Sequence, residues 1–300
     1  LIAKYLYYLQ TKEYELALPH LEKALEYNPN SFFAIQMLAD FHFRIIPNSG
    51  KYLEYALKGV QLDVAANDSV TLSYVYLNLS NAFIQNGFVD EAITYINKSL
   101  NHFPENYYAP YVKTLIMYAQ ESNIERTRQS LLMEWKKDTT RLDILQDVVK
   151  FYFLQEDYDS AFYFYEKFVL AREVNGLAIY PQEDIRIGIV YEKMGLDEQS
   201  KGFYQSYADY CENDQSIYKS ASLASKYAKD GAIDLAIEQL NIFANQDNFQ
   251  YWMLVYIKVD PLINPLRDHP AFNNVIQKIE DRFWENQSRL KESLDEKELI

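Results

Sequence analysis

The chain has 300 residues, 49% of them apolar, and a formal charge of −14 from 29 basic and 43 acidic residues. That balance argues against direct binding of nucleic acid or an anionic membrane, both of which need basic surface. The single cysteine, Cys211, excludes an internal disulfide framework and a cysteine-based zinc cage.

Apolar residues recur at helical spacing along most of the chain, in pairs of short helices. Leu1, Tyr5 and Tyr8 space a first helix. Lys12-Glu13-Tyr14 makes its turn, and Ala17, Leu21 and Ala24 space a second helix that Pro29 stops. The next pair is irregular: a helix over about 31–45, a breaker at Pro47-Asn48-Ser49-Gly50, then a helix with Tyr52, Tyr55 and Ala56 ending near Leu62. Residues 63–69 read as an insertion or a lengthened turn. The third pair, 70–104, is the clearest, with Tyr76, Leu79, Ser80 and Phe83, a turn at Gly87, then Ala92, Ile96 and Pro104. The fourth, 107–138, is degenerate, since Arg126 stands where a small residue is expected. The fifth, 141–172, has Phe151, Tyr152, Ala161 and Tyr165. Its Asp157 and Asp159 read as helix-start acids rather than a catalytic pair.

A longer connection over 173–182 holds Asn175-Gly176 and Pro181. The sixth pair, 183–212, follows with Ile187, Gly188, Tyr191, Gly195, Ser200 and Tyr204. The seventh, 215–244, has Leu223, Ala224, Tyr227, Gly231, Ala236 and Leu240. The period then breaks into an apolar helix over 249–258, prolines at 261 and 265, and a last helix opened by Pro270. That helix aligns Phe272, Val275, Ile276, Ile279 and Phe283 before turning polar. The longest apolar run, 251–257, falls far short of the roughly 18 residues of a membrane span.

The small residue of each second helix falls at 92, about 126, 161, 200 and 236. Period and residue types match the tetratricopeptide repeat, a helix–turn–helix of about 34 residues with W-x2-L-G-x2-Y, A-x3-F and a closing proline. The chain therefore resembles a tetratricopeptide repeat array of about seven repeats over 1–248, with 249–300 as C-terminal capping helices and a polar tail. The resemblance implies an all-α fold, a right-handed α-solenoid of antiparallel helix hairpins with a C-terminal capping helix. The segment 260–276, DPLINPLRDHPAFNNVI, is also similar to the ends of such arrays in some bacterial regulatory proteins.

Nothing in the sequence forms a catalytic constellation. His20, His42, His102 and His269 make no zinc motif, and there is no phosphate-binding glycine loop. No cofactor or metal is expected. The resemblance implies a non-catalytic protein–protein interaction scaffold whose concave groove takes a protein segment. The groove positions are Tyr74, Leu77, Asn81 and Gln85 in the third repeat and Tyr108, Tyr111 and Tyr118 in the fourth. They continue as Gln146, Lys150 and Phe153, then Lys193, then Lys229. The plain alternative for the apolar members is packing against the next repeat. The carboxylate clamp of chaperone-binding relatives is not matched, since Leu77, Tyr108 and Val112 stand where Lys and Arg are needed. A second reading makes the array a ligand-sensing or dimerising part of a larger regulator whose output domain lies upstream of Leu1. A cytoplasmic location is expected, with the periplasm left open.

Overall fold

The computed structural model describes residues 1–62 and 68–300. It is all-α, with no strand among the described residues. Fourteen helices come first: α1 (Ile2–Gln10), α2 (Tyr14–Tyr27), α3 (Phe32–Arg44), α4 (Ser49–Gln61), α5 (Ser69–Gln85), α6 (Val89–His102) and α7 (Ala109–Glu121). They continue as α8 (Ile124–Lys137), α9 (Leu142–Leu154), α10 (Tyr158–Val174), α11 (Asp184–Lys193), α12 (Asp197–Asn213), α13 (Lys219–Lys229) and α14 (Ile233–Phe243). Then come α15 (Trp252–Ile257), a 3₁₀ segment (Pro261–Leu266) and α16 (Phe272–Glu296). Sequence neighbours pack as antiparallel hairpins, among them α1 with α2, α3 with α4, α5 with α6, α9 with α10, α11 with α12 and α13 with α14.

Six of the hairpins close on a small buried residue at the fourth position of the second helix. These are Ala17, Ala92, Thr127, Ala161, Ser200 and Ala236, all at most 5% exposed. In the best-formed pair Ser80 of α5 donates its hydroxyl to the carbonyl of Ala92 at 2.7 Å. That bond spans two helices in van der Waals contact, a separation only small side chains permit. The register of the fourth hairpin is one residue later than expected. Thr127 takes the buried slot, while Arg126 is exposed and pairs with Glu121 at 2.7 Å. In the irregular second pair the fourth residue of α4 is Tyr52. The expected breaker is in part helix: Asn48 caps α4 by accepting from Lys51 N–H at 2.9 Å, and Ser49 and Gly50 lie inside the helix. Of the insertion expected at 63–69, residues 63–67 lie outside the described residues, and Asp68 caps α5 through Thr71 N–H.

Five residues before each of those small residues the chain turns through the left-handed region. Gly87, Gly195 and Gly231 hold this position in three hairpins, and Lys12, Ser122 and Glu156 hold it in three others. A side chain there costs about 1–2 kcal/mol, so the turn geometry is dictated by the hairpin and not by the residue. Asp157, next to one such turn, accepts from Ser160 N–H at 3.1 Å and caps α10.

The residues fall into two compact units. The first comprises 1–116, 247–253 and 281–300, the second 117–246 and 254–280. The C-terminal 54 residues, 247–300, are shared out between the two units.

Replacing Ser122 by Gly relieves its left-handed strain at the expense of a freer unfolded chain. A net gain of about 0.5–1 kcal/mol is expected in chemical denaturation. Gly188 of α11 is the opposite case, because a Cβ there would meet the Tyr204 ring at 2.5 Å. Gly188→Ala is expected to lose about 1–3 kcal/mol, whereas Gly202→Ala on the open face of α12 gains about 0.5–1 kcal/mol.

Candidate functional site

The inner stripe of each unit begins as the row of first-helix side chains that point away from the second helix of the same hairpin. In the first unit the end of this row, at Gln85, and the neighbouring α4 are met by the chain's own later residues. Residues 247–253 and 281–300 pack across α4 and the α5–α6 turn. Tyr251 N–H donates to the Gln85 carbonyl at 2.8 Å, and Gln287 reaches the Asn86 carbonyl at 3.2 Å. Gly87 has room for no side chain because the Phe283 ring stands 3.0 Å from where its Cβ would be. Leu290 lies over Gly50, and Leu294 is fully buried. Burial of each such apolar side chain is worth about 1.5–3 kcal/mol. At the end of the row Lys297 pairs with Glu54 at 3.0 Å, and Gln61 donates to the Glu298 carbonyl at 2.9 Å.

Glu54 is the charged centre of this packing. Burial alone would raise its carboxyl, but hydrogen bonds from Lys58 and Lys297 and the nearby Lys51 outweigh that and hold it down at about 2.

The second unit repeats the theme with residues 254–266. Tyr256 stacks on Tyr118 (5.7 Å between centroids) and stands edge-on to Phe151, under the Lys150 ammonium at 5.3 Å. Four residues on, Asp260 takes the Arg186 guanidinium at 2.6 Å, and Arg186 also pairs with Glu183 at 3.1 Å. Tyr165 completes the cluster by donating to Glu183 at 3.2 Å. Removing one partner of a buried pair of this kind costs about 3–5 kcal/mol, so Asp260 fixes its segment firmly.

The twelve positions read from the sequence therefore divide. Leu77, Gln85, Tyr118 and Phe153 are buried inside their units. Lys150 is ion-paired with Asp147 at 2.6 Å beneath Tyr256, and Gln146 donates to the same carboxylate at 3.3 Å. Lys229 pairs with Glu192 at 3.2 Å, and Lys193 is exposed over the Tyr158 ring at 5.6 Å. Four others stay together at the accessible surface of the first unit. Tyr74 packs edge-on to Tyr108, which is 44% exposed, while Tyr111 and Asn81 are half-buried.

Asn81 also lines a shallow cleft of about 40 Å³ between α3 and α5, floored by Tyr52. The other polar groups there are Gln36, Asp40, Arg44 and Asn78. Asn81 donates to the Tyr52 hydroxyl at 3.4 Å, and Tyr52 donates to the Asn78 carbonyl at 3.0 Å. The exposed Asp40–Arg44 pair, at 3.5 Å, flanks the amides. The α3 members escaped the sequence reading because the irregular second repeat gave no register. The signal was present as Gln36, Asp40 and Phe43, spaced as one helical stripe.

The histidines are accounted for by packing or pairing. His20 stacks on Tyr8, His42 on Tyr55 and His102 against Tyr76, and His269 meets Asp234 at 3.2 Å. Burial pushes the Cys211 thiol up to about 11, opposite to the need of a nucleophile. Among the described residues no group of three or more His, Cys, Asp or Glu is placed to hold a metal. Nor is any helix among them long and apolar enough to cross a membrane.

The tetratricopeptide repeat profile matches residues 6–31. The crystal structure of a tetratricopeptide repeat protein from Parabacteroides merdae ATCC 43184 aligns with 93% of this chain and 97% of its own, at 12% identity and a TM-score of 0.50. Two crystal structures of MamA align with 56% and 60% of this chain and 94% and 96% of theirs. Their identities are 18% and 17%, and their TM-scores 0.40 and 0.42. No curated protein matches the sequence. The first likeness is one of fold.

The Glu54 cluster has a pH signature. A carboxyl held below its unfolded value stabilises the fold above about pH 4.5, and that contribution is lost as pH falls through about 2. Lys297→Met removes one of the groups holding it down. The acid unfolding midpoint followed by circular dichroism is expected to move to higher pH, and an unchanged midpoint would show that Lys297 does not stabilise the carboxylate.

Proposed function

We propose that this chain, a helical repeat protein of tetratricopeptide fold, holds a segment of a partner protein against the accessible face around the α3–α5 cleft of its first unit. Tetratricopeptide repeats are protein–protein interaction scaffolds, and the question is which surface does the work. Of the other inner positions, Leu77, Gln85, Tyr118 and Phe153 are buried, Lys150 lies against Tyr256, and Lys193 and Lys229 are engaged with Tyr158 and Glu192. What remains is a strip with Gln36, Asn78 and Asn81 at one end and Tyr74 and Tyr108 at the other.

The observation that carries the reading is this combination of side-chain amides and tyrosines on one accessible face. Amides offer a donor and an acceptor at once, and so pair with a peptide backbone. Tyrosine supplies contact area at low entropic cost and is enriched at binding hot spots. Arg44 beside them is paired with Asp40, so the strip reads a segment by backbone and apolar contacts rather than by a terminal carboxylate. The groove assignment at Lys150, Phe153 and Tyr118 is replaced in this proposal by the open strip.

A photo-crosslinking residue placed at Asn78 in the full chain is expected to capture one discrete protein in cells of the source organism. Purified partner should then bind the Asn78→Ala, Asn81→Ala double variant about tenfold or more weaker, with the melting temperature nearly unchanged. Capture at Lys98 on α6 but not at Asn78 would place the interaction on another face and reject the cleft.

A further inference from the structure

The second unit carries an apolar surface on α10, which neither hairpin packing nor the cleft explains. Helix α10 is apolar on two sides. Ala161, Phe164, Tyr165 and Phe168 face inward and are buried. On the other side Tyr163, Leu170 and Val174 are 55%, 60% and 74% exposed. Their spacings of seven and four residues put them on one stripe about 16 Å long. The outer residues of α12 in the next hairpin show what such a face ordinarily carries: Lys201, Gln205, Asp209 and Glu212. A contiguous exposed apolar surface marks an interaction site.

Beside the stripe lies a cavity of about 670 Å³, lined by Trp135, Leu142, Leu145, Lys167, Ala171 and Leu177 among others. That volume suits a large side chain with the chain that bears it. Lys167 sits in the middle of the stripe and also lines the cavity. No carboxylate lies within ion-pair distance of it among the described residues, and its ammonium rests on the Tyr163 ring at 4.4 Å. Glu166 and Glu173 of the same helix are exposed, and neither forms an ion pair with Lys167.

We infer that the α10 stripe and this cavity dock an amphipathic helix of a partner protein, apolar on one face and edged with carboxylates. One large apolar side chain enters the cavity, and a neighbouring carboxylate takes the Lys167 ammonium. The length of the stripe, three turns, sets a helix as the occupant. The unpaired lysine sets its charge.

The test uses the full chain and a fluorescein-labelled, helix-forming peptide of roughly 18 residues. Leucines form its stripe and glutamates its edges, and a matched peptide carries lysines for the glutamates. Anisotropy is expected to show binding of the glutamate peptide and at least about tenfold weaker binding of the lysine peptide. Lys167→Glu should weaken the glutamate peptide about tenfold, and Leu170→Asp and Val174→Asp should abolish its binding. Leu235→Asp, at an exposed leucine of α14, should leave it unchanged. All variants are checked for an unaltered circular dichroism spectrum. No binding of the glutamate peptide, equal binding of both peptides, or indifference to Leu170→Asp and Lys167→Glu would overturn the proposal. So would sedimentation showing a dimer of the chain that Leu170→Asp dissociates.

Discussion

Close approach of two helices at a small residue is the constraint on which the structure depends. Where Ser80 bonds to the carbonyl of Ala92, only small side chains can stand between α5 and α6. The same slot recurs at Ala17, Thr127, Ala161, Ser200 and Ala236. Each hairpin is too short to be stable alone, so its exposed flank must be covered by a neighbour. Helix boundaries, left-handed turns and the direction of the remaining side chains follow from that one closure. Hairpin closure uses one side of each first helix and leaves the opposite stripe without a partner in its own repeat.

How that stripe is covered gives the protein its individuality. In the first unit the cover is aliphatic and aromatic, through Leu290, Leu294 and Phe283, with Glu54 and its lysines at the rim. In the second it is an aromatic stack on Tyr256 followed by the buried Arg186–Asp260 pair. The two solutions differ in chemistry, and each packs C-terminal residues of the chain onto earlier helices of its own unit. Many of the tyrosines are consumed in this way. Tyr165 and Tyr256 have hydroxyls pushed far up by burial, so both remain neutral hydrogen-bonding groups. Abundance of tyrosine therefore reports mostly on packing, and only Tyr74, Tyr108 and Tyr111 stay at the surface of the inner strip.

Local periodicity made the hairpins legible. A glycine or a small residue every 34 to 39 residues is a short-range signal, and α5 and α6 could be read almost to the residue. The degenerate fourth hairpin shows the limit. Counting 34 from Ala92 lands on Arg126, whereas the helix itself starts at Ile124 and puts Thr127 inward. The stripe containing Leu77, Gln85, Lys150 and Phe153 was likewise legible, but what lies on it was not. Tyr251 meets Gln85 across a separation of well over a hundred residues, and no local pattern encodes such a pairing. The prolines at 261 and 265 carry no sign that the residues after them pack with earlier helices. The cleft at Gln36 and Asn78 was missed for a related reason, since the second repeat has Tyr52 where its neighbours have alanine.

Whether residues 281–296 form part of the folded core of the first unit is the decisive physical question, because their position determines which inner surface is open. Native-state hydrogen exchange of the full chain reads this directly. The account expects amides around Phe283, Leu290 and Leu294 to exchange as slowly as those of α4 and α5, through the same cooperative opening. Exchange of that stretch at the rate of a free helix, with α4 and α5 still protected, would contradict it.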